Sequence, residues 1–166
     1  MTKKLLTLIL VLSFVPMASA GLSLQVEGNT VAVSLDEGTS NLIGYELGVR
    51  VDAGILDASG VNLSPSGKTW MVAPVVVPSK TTDQQYVVTA GDVPMFGGTG
   101  LAAPALVLSG LTFDGAMVIE LVAVGDIQLA DGTLYTGGQV LDSYIVPEPM
   151  TMALLGLGGL FLRRRK

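Results

Sequence analysis

Neither cysteine nor histidine occurs in the 166 residues. Without cysteine there is no disulfide, no iron–sulfur cluster, no thiol nucleophile and no lipid-bearing cysteine. Without histidine there is no Ser–His triad, and the usual zinc ligand sets, drawn mainly from Cys and His, are missing as well. Charge is also scarce. Only 14% of the residues are charged, about half of the ~25% usual in globular chains, which excludes a disordered acidic or basic chain. Aromatic residues make up 5%, with Trp70 the single tryptophan. The length suits one domain of ordinary size, with or without terminal signals.

Much of the apolar content sits at the two ends. At the N-terminus Lys3 and Lys4 precede an apolar run over residues 5–15, relieved only by Thr7 and Ser13. Pro16 ends the run, and Ala18-Ser19-Ala20 supplies the small-x-small pattern that a signal peptidase reads. Residues 1–20 are therefore expected to be a secretory signal peptide, with Ala18 and Ala20 at the peptidase site and Gly21 the first mature residue. The run is too short for the ~20 residues of a spanning helix.

At the C-terminus residues 146–166 read VPEPMTMALLGLGGLFLRRRK. Pro147-Glu148-Pro149 fixes φ and removes backbone donors, so any preceding strand must stop there. Residues 150–162 are largely apolar. Arg163, Arg164, Arg165 and Lys166 follow as stop-transfer cations that stay on the cytoplasmic side. At ~1.5 Å per residue the apolar stretch reaches about 20 Å, short of the ~30 Å hydrocarbon core. Spanning then needs Ile145 and Val146, arginine snorkelling or local thinning of the bilayer. The Gly156–Gly159 stretch has no strand before it and is not a nucleotide loop; its small residues suit close helix approach in lipid.

This tail, with Val146, Pro147, Glu148 and Pro149 as the motif, resembles the PEP-CTERM sorting signal of Gram-negative bacteria. The resemblance implies recognition by an exosortase, a membrane-embedded cysteine transpeptidase-like enzyme, after passage through the export machinery and signal peptidase. It also implies a precursor held transiently in the inner membrane and then sent to the cell surface or an exopolysaccharide matrix. The segment between the signals, residues 21–146, has three cations (Arg50, Lys68, Lys80) against thirteen carboxylates, a net charge of −10. Such a body repels nucleic acid and anionic lipid and suits a polysaccharide matrix or divalent cations.

Residues 21–145 alternate with period 2, which predicts strands. Leu22, Leu24 and Val26 face one way and Ser23, Gln25 and Glu27 the other. Gly28-Asn29 turns, and Val31, Val33 and Leu35 resume the apolar face. Tyr45, Leu47, Val49 and Val51 alternate with Glu46, Gly48, Arg50 and Asp52 in the clearest half-buried strand. Residues 70–77 contain Pro74, which predicts an edge or bulged strand. Further strands are expected over residues 84–89, 106–113, 117–124, 127–129, 134–135 and 139–145, separated by Asp-Gly and Gly-Asp turns. About nine short strands with frequent turns predict an all-β, antiparallel β-sandwich. Residues 28–67 and 106–134 resemble parts of a cohesin-type domain. That resemblance implies a jelly-roll sandwich that binds a protein partner, an architecture that carbohydrate-binding modules share. The expected domains are thus signal peptide 1–20, exported sandwich 21–145 and sorting signal 146–166, ending in a short transmembrane helix.

Candidate chemistry is thin. Glu46 with Glu120, or Asp52 with Asp57, is a carboxylate pair of the type glycosidases use, but nothing in the sequence sets either pair across a cleft, and the body is expected to be non-enzymatic. No cofactor is expected. Asp126 and Asp131 are weak candidates for Ca²⁺, without EF-hand spacing. Trp70, Tyr86 and Tyr135 are candidates to stack on a sugar ring, Trp70 being favoured as a core residue. The expected role is binding or structural: a cohesin-like protein-interaction module first, a carbohydrate-binding module associated with exopolysaccharide as the alternative, a hydrolase last.

Overall fold

The computed structural model describes residues 21–78, 85–91, 98–116 and 118–147. The expected signal peptide and residues 148–166 of the sorting signal, including its four cations, lie outside the described residues. Among the described residues there are eleven strands: β1 (Leu22–Glu27), β2 (Thr30–Leu35), β3 (Leu42–Val51), β4 (Ile55–Asp57), β5 (Val72–Pro78), β6 (Gln85–Gly91), β7 (Ala105–Asp114), β8 (Val118–Ala123), β9 (Ile127–Leu129), β10 (Leu134–Tyr135) and β11 (Val140–Ile145). Among the described residues there is no helix long and apolar enough to cross a membrane.

The strands form two antiparallel sheets. One has the order β1-β2-β7-β4. The other is organised around β3. One edge of β3 carries β6 and then β5, while the other carries β9 and β8 end to end, followed outward by β10 and β11. The all-β, antiparallel sandwich expected from the sequence is thus present. Each predicted run forms a strand whose ends shift by at most three residues, the largest shift being the start of β3 at Leu42. The structure adds β4, which pairs Ile55, Leu56 and Asp57 with Asp114, Phe113 and Thr112.

Alternation explains which faces are buried. Tyr45, Leu47, Val49 and Val51 all point into the core, as do Val31, Val33 and Leu35 from the opposing sheet. Val107 and Leu108 are both buried although adjacent. A register shift in the β2–β7 ladder allows this, and Gly110 sits beside it at φ +80°, where an added Cβ would lie 2.4 Å from the Gly60 carbonyl oxygen. Pro74 lies in β5, which among the described strands pairs only with β6 and has a register shift between Val72 and Val75. A residue with no N–H is tolerated at an irregular edge and not in a central strand.

Two polar contacts close the sandwich. The Leu24 N–H donates to Asp142 Oδ2 at 2.8 Å, joining β1 to β11. The Tyr86 hydroxyl, on β6, donates to the Leu56 carbonyl on β4 at 2.5 Å, linking one sheet to the other. Tyr45 differs. Its hydroxyl is buried and has no hydrogen-bond partner among the described residues, and burial pushes its pKa well above the ordinary phenol value. The folded protein therefore holds a proton here that the unfolded chain releases near pH ~10, so stability is lost as pH rises above that point. Tyr45→Phe is expected to shift the alkaline unfolding midpoint to higher pH. It should also add about 1 kcal/mol at neutral pH by removing a desolvated hydroxyl. Circular dichroism across an alkaline titration checks both.

Candidate functional site

The outward face of the larger sheet can be built row by row from the register. Across one row Leu134 pairs with Gln128, Gln128 with Gly44, Gly44 with Gly91, and Gly91 with Val72. In the next row Glu46 pairs with Thr89 and Thr89 with Val75. The two adjacent glycines carry no side chain, so the first row sinks in the middle and rises at Val72 and Leu134. The result is a shallow depression of about 570 Å³, into which Glu46, Thr89, Asp126 and Gln128 bring polar groups. That size is within the range of ligand sites, but the depression is open along the sheet.

Beyond it the β5 edge is apolar. Val72, Val75 and Val77 are 57%, 50% and 45% exposed, while Val76 between the last two packs on the core. Met71, just before β5, is also exposed. Farther along the face Arg50 Nε contacts Glu120 Oε2 at 2.5 Å. Both side chains are partly exposed, and such a surface pair contributes little to stability.

The residues singled out in the sequence fall in different places. Trp70 is 8% exposed and stands edge-on to Tyr45, with ring centroids 5.4 Å apart and planes at 80°. Lys68 Nζ lies 5.7 Å from its ring centroid. Its ring is occupied by protein, and stacking on a sugar does not fit this geometry. Tyr86 and Tyr135 are half-buried against the core. The Tyr135 phenol pKa is raised, first by burial and then by the Asp131 charge. Asp131 accepts hydrogen bonds from the Thr133 N–H and the Ser40 hydroxyl, each at 2.9 Å. These bonds, the Thr133 backbone N–H foremost, lower its pKa. Asp126 lies at the depression instead. Among the described residues no group of three or more His, Cys, Asp or Glu could hold a metal ion.

The carboxylate pairs are likewise engaged separately. Glu120 faces Arg50, Asp52 Oδ1 accepts the Val118 N–H at 2.8 Å, and the Asp57 pKa is lowered by the Ser59 backbone N–H and hydroxyl. Glu46 sits on the outward face, its carboxylate against Gly125, where a Cβ would meet Oε2 at 2.1 Å. The glycine trough and the exposed valines were not singled out in the sequence. The alternation marks Val75 and Val77 as facing alike, but only the cross-strand register shows which face is open.

The other functional element begins at the end of β11. Ile145 pairs with Val118 as the last residue of β11. Val146 still packs against the core, and Pro147 is exposed. Residues 146–166 match the PEP-CTERM protein-sorting motif. The PEP-CTERM motif therefore begins on a residue, Val146, that still packs against the sandwich. A chain that carries it is exported, held in the membrane before sorting and processed by an exosortase. A comparison with curated proteins finds no match for the chain.

Proposed function

We propose that the sandwich is a protein-interaction module of cohesin-like type, delivered by exosortase sorting to the cell surface or extracellular matrix, and that it binds through the β5 side of its larger sheet. The observation that carries this reading is the β5 edge. Among the described strands it pairs on one side only, and it presents Val72, Val75 and Val77 to solvent. An edge with free backbone groups and exposed alternate side chains is the geometry at which a partner strand adds by main-chain hydrogen bonds. Left uncovered, such an edge invites indiscriminate pairing. We read the role as binding and not catalysis: Glu120 is paired with Arg50, Asp52 accepts the Val118 N–H and Asp57 accepts the Ser59 N–H, which leaves neither carboxylate pair set across a cleft.

A carbohydrate-binding role is the second reading, favoured by the polar groups in the glycine trough: Gln128, Thr89, Glu46 and Asp126. It has less support, because Trp70, Tyr86 and Tyr135 all pack against the core and sugar rings bind best to open aromatic faces. The two readings separate in one experiment. The processed protein is followed between the surface-bound fraction and the medium, for the wild type and for the double variant Val75→Lys, Val77→Lys. Under the first reading the variant weakens retention about tenfold, the effect of losing ~1.4 kcal/mol of interface, and protease treatment of the surface abolishes wild-type retention. Retention unchanged by the lysines but removed by polysaccharide hydrolases would replace the first reading with the second.

A further inference from the structure

Among the described residues the most exposed large apolar ones are Ile145 (74%) and Ile55 (67%), and the topology brings them to the same end of the sandwich. Ile145 pairs with Val118 at the start of β8. Val118 is bonded through its N–H and C=O to Asp52, three residues before Ile55. Ile55 in turn pairs with Asp114, four residues before Val118. The same end is where β1 and β2 meet at Glu27 and Thr30. It is also the end from which the chain runs into the PEP-CTERM motif.

From Ile145 to Met150, where the apolar stretch begins, there are five steps of chain. Fully extended they reach about 18 Å, with the two prolines favouring a stiff, extended path. The headgroup layer adds only ~5–8 Å on each side of the hydrocarbon core. An anchored precursor thus has this pole, and not the opposite one, within reach of the lipid surface. Glu27, Asp52 and Asp114 are exposed around the two isoleucines, so the pole suits zwitterionic lipid better than anionic lipid.

We infer that the pole bearing Ile55 and Ile145 is a lipid-contact surface, which seats the sandwich upright on the bilayer while the sorting motif awaits processing. The inference rests on the membrane-held state that the motif gives. The two isoleucines enter the interfacial layer, as apolar side chains of peripheral proteins do, and the binding face along β5 stays clear of the membrane.

The chain has no cysteine, so a single introduced one can be labelled uniquely with a fluorophore. Full-length protein is reconstituted into phosphatidylcholine vesicles, floated, and challenged with shallow doxyl-labelled lipid. About half of the fluorescence at Ile55→Cys or at Asn29→Cys, on the same pole, is expected to be lost. A label at Glu37→Cys, on the opposite pole, should be unaffected. Adding Ile55→Asp and Ile145→Asp should release the Asn29→Cys label from quenching. Failure to float removes the anchor, and the inference with it. Flotation without quenching at positions 55 and 29 leaves the anchor standing and overturns the inference. Quenching at position 29 that survives both aspartates overturns the role of the isoleucines.

Discussion

Replacing Pro147, Glu148 and Pro149 together by alanine is expected to leave the full-length precursor in the membrane fraction and to abolish the processed form. Recognition is expected to fall on these three residues, which lie within the motif matched over residues 146–166, and alanine removes their fixed φ values and their charge at once. The fold should not respond. Among the described residues the last one packed on the core is Val146, and Pro147 is exposed. Thermal unfolding of the variant should therefore match the wild type while processing falls to background. Immunoblots of membrane and released fractions give the first readout and a melting curve the second. Release of normally processed protein from the alanine variant would remove the motif from the sorting step.

The parts of this protein legible in its sequence are those written in consecutive residues. The sorting motif is one, because its stiff, apolar and cationic parts follow in order over 21 residues. Strand β3 is another, because Tyr45, Leu47, Val49 and Val51 alternate without interruption and all four are buried. Pro74 marked its strand as an edge or a bulge, and β5 is both. What was not legible depends on partners far apart in the chain. β4 has only three residues and no period of its own; it is a strand because Phe113 and its neighbours offer an edge. The glycine trough exists because Gly44 and Gly91, 47 positions apart, fall opposite each other. Each glycine alone looks like a weak point in a strand. Similarly, Ile55 and Ile145 look like two unrelated apolar residues until the pairings of Val118 and Asp114 set them at one pole.

Leu47→Ala is expected to be the most destabilising single change in the body. Leu47 is fully buried in the strand that connects the whole larger sheet, with Val88 opposite it on β6 and Ala123 on β8. Truncation removes three methyl(ene) carbons between two flanking strands that are held by their own ladders and cannot close over the gap. The lost burial and the residual cavity together cost about 3–4 kcal/mol. For a body of this size each kcal/mol lowers the melting temperature by roughly 3–5 °C, so a drop of about 10–20 °C is expected. Val75→Ala, on the outward face, should shift the melting temperature by only a degree or two. The contrast separates the roles of the two sheet faces. The inner face holds the sandwich together, and the outer face is free to carry binding. A Leu47→Ala variant that melts within two or three degrees of the wild type would show that the sheets collapse onto each other more readily than their register indicates.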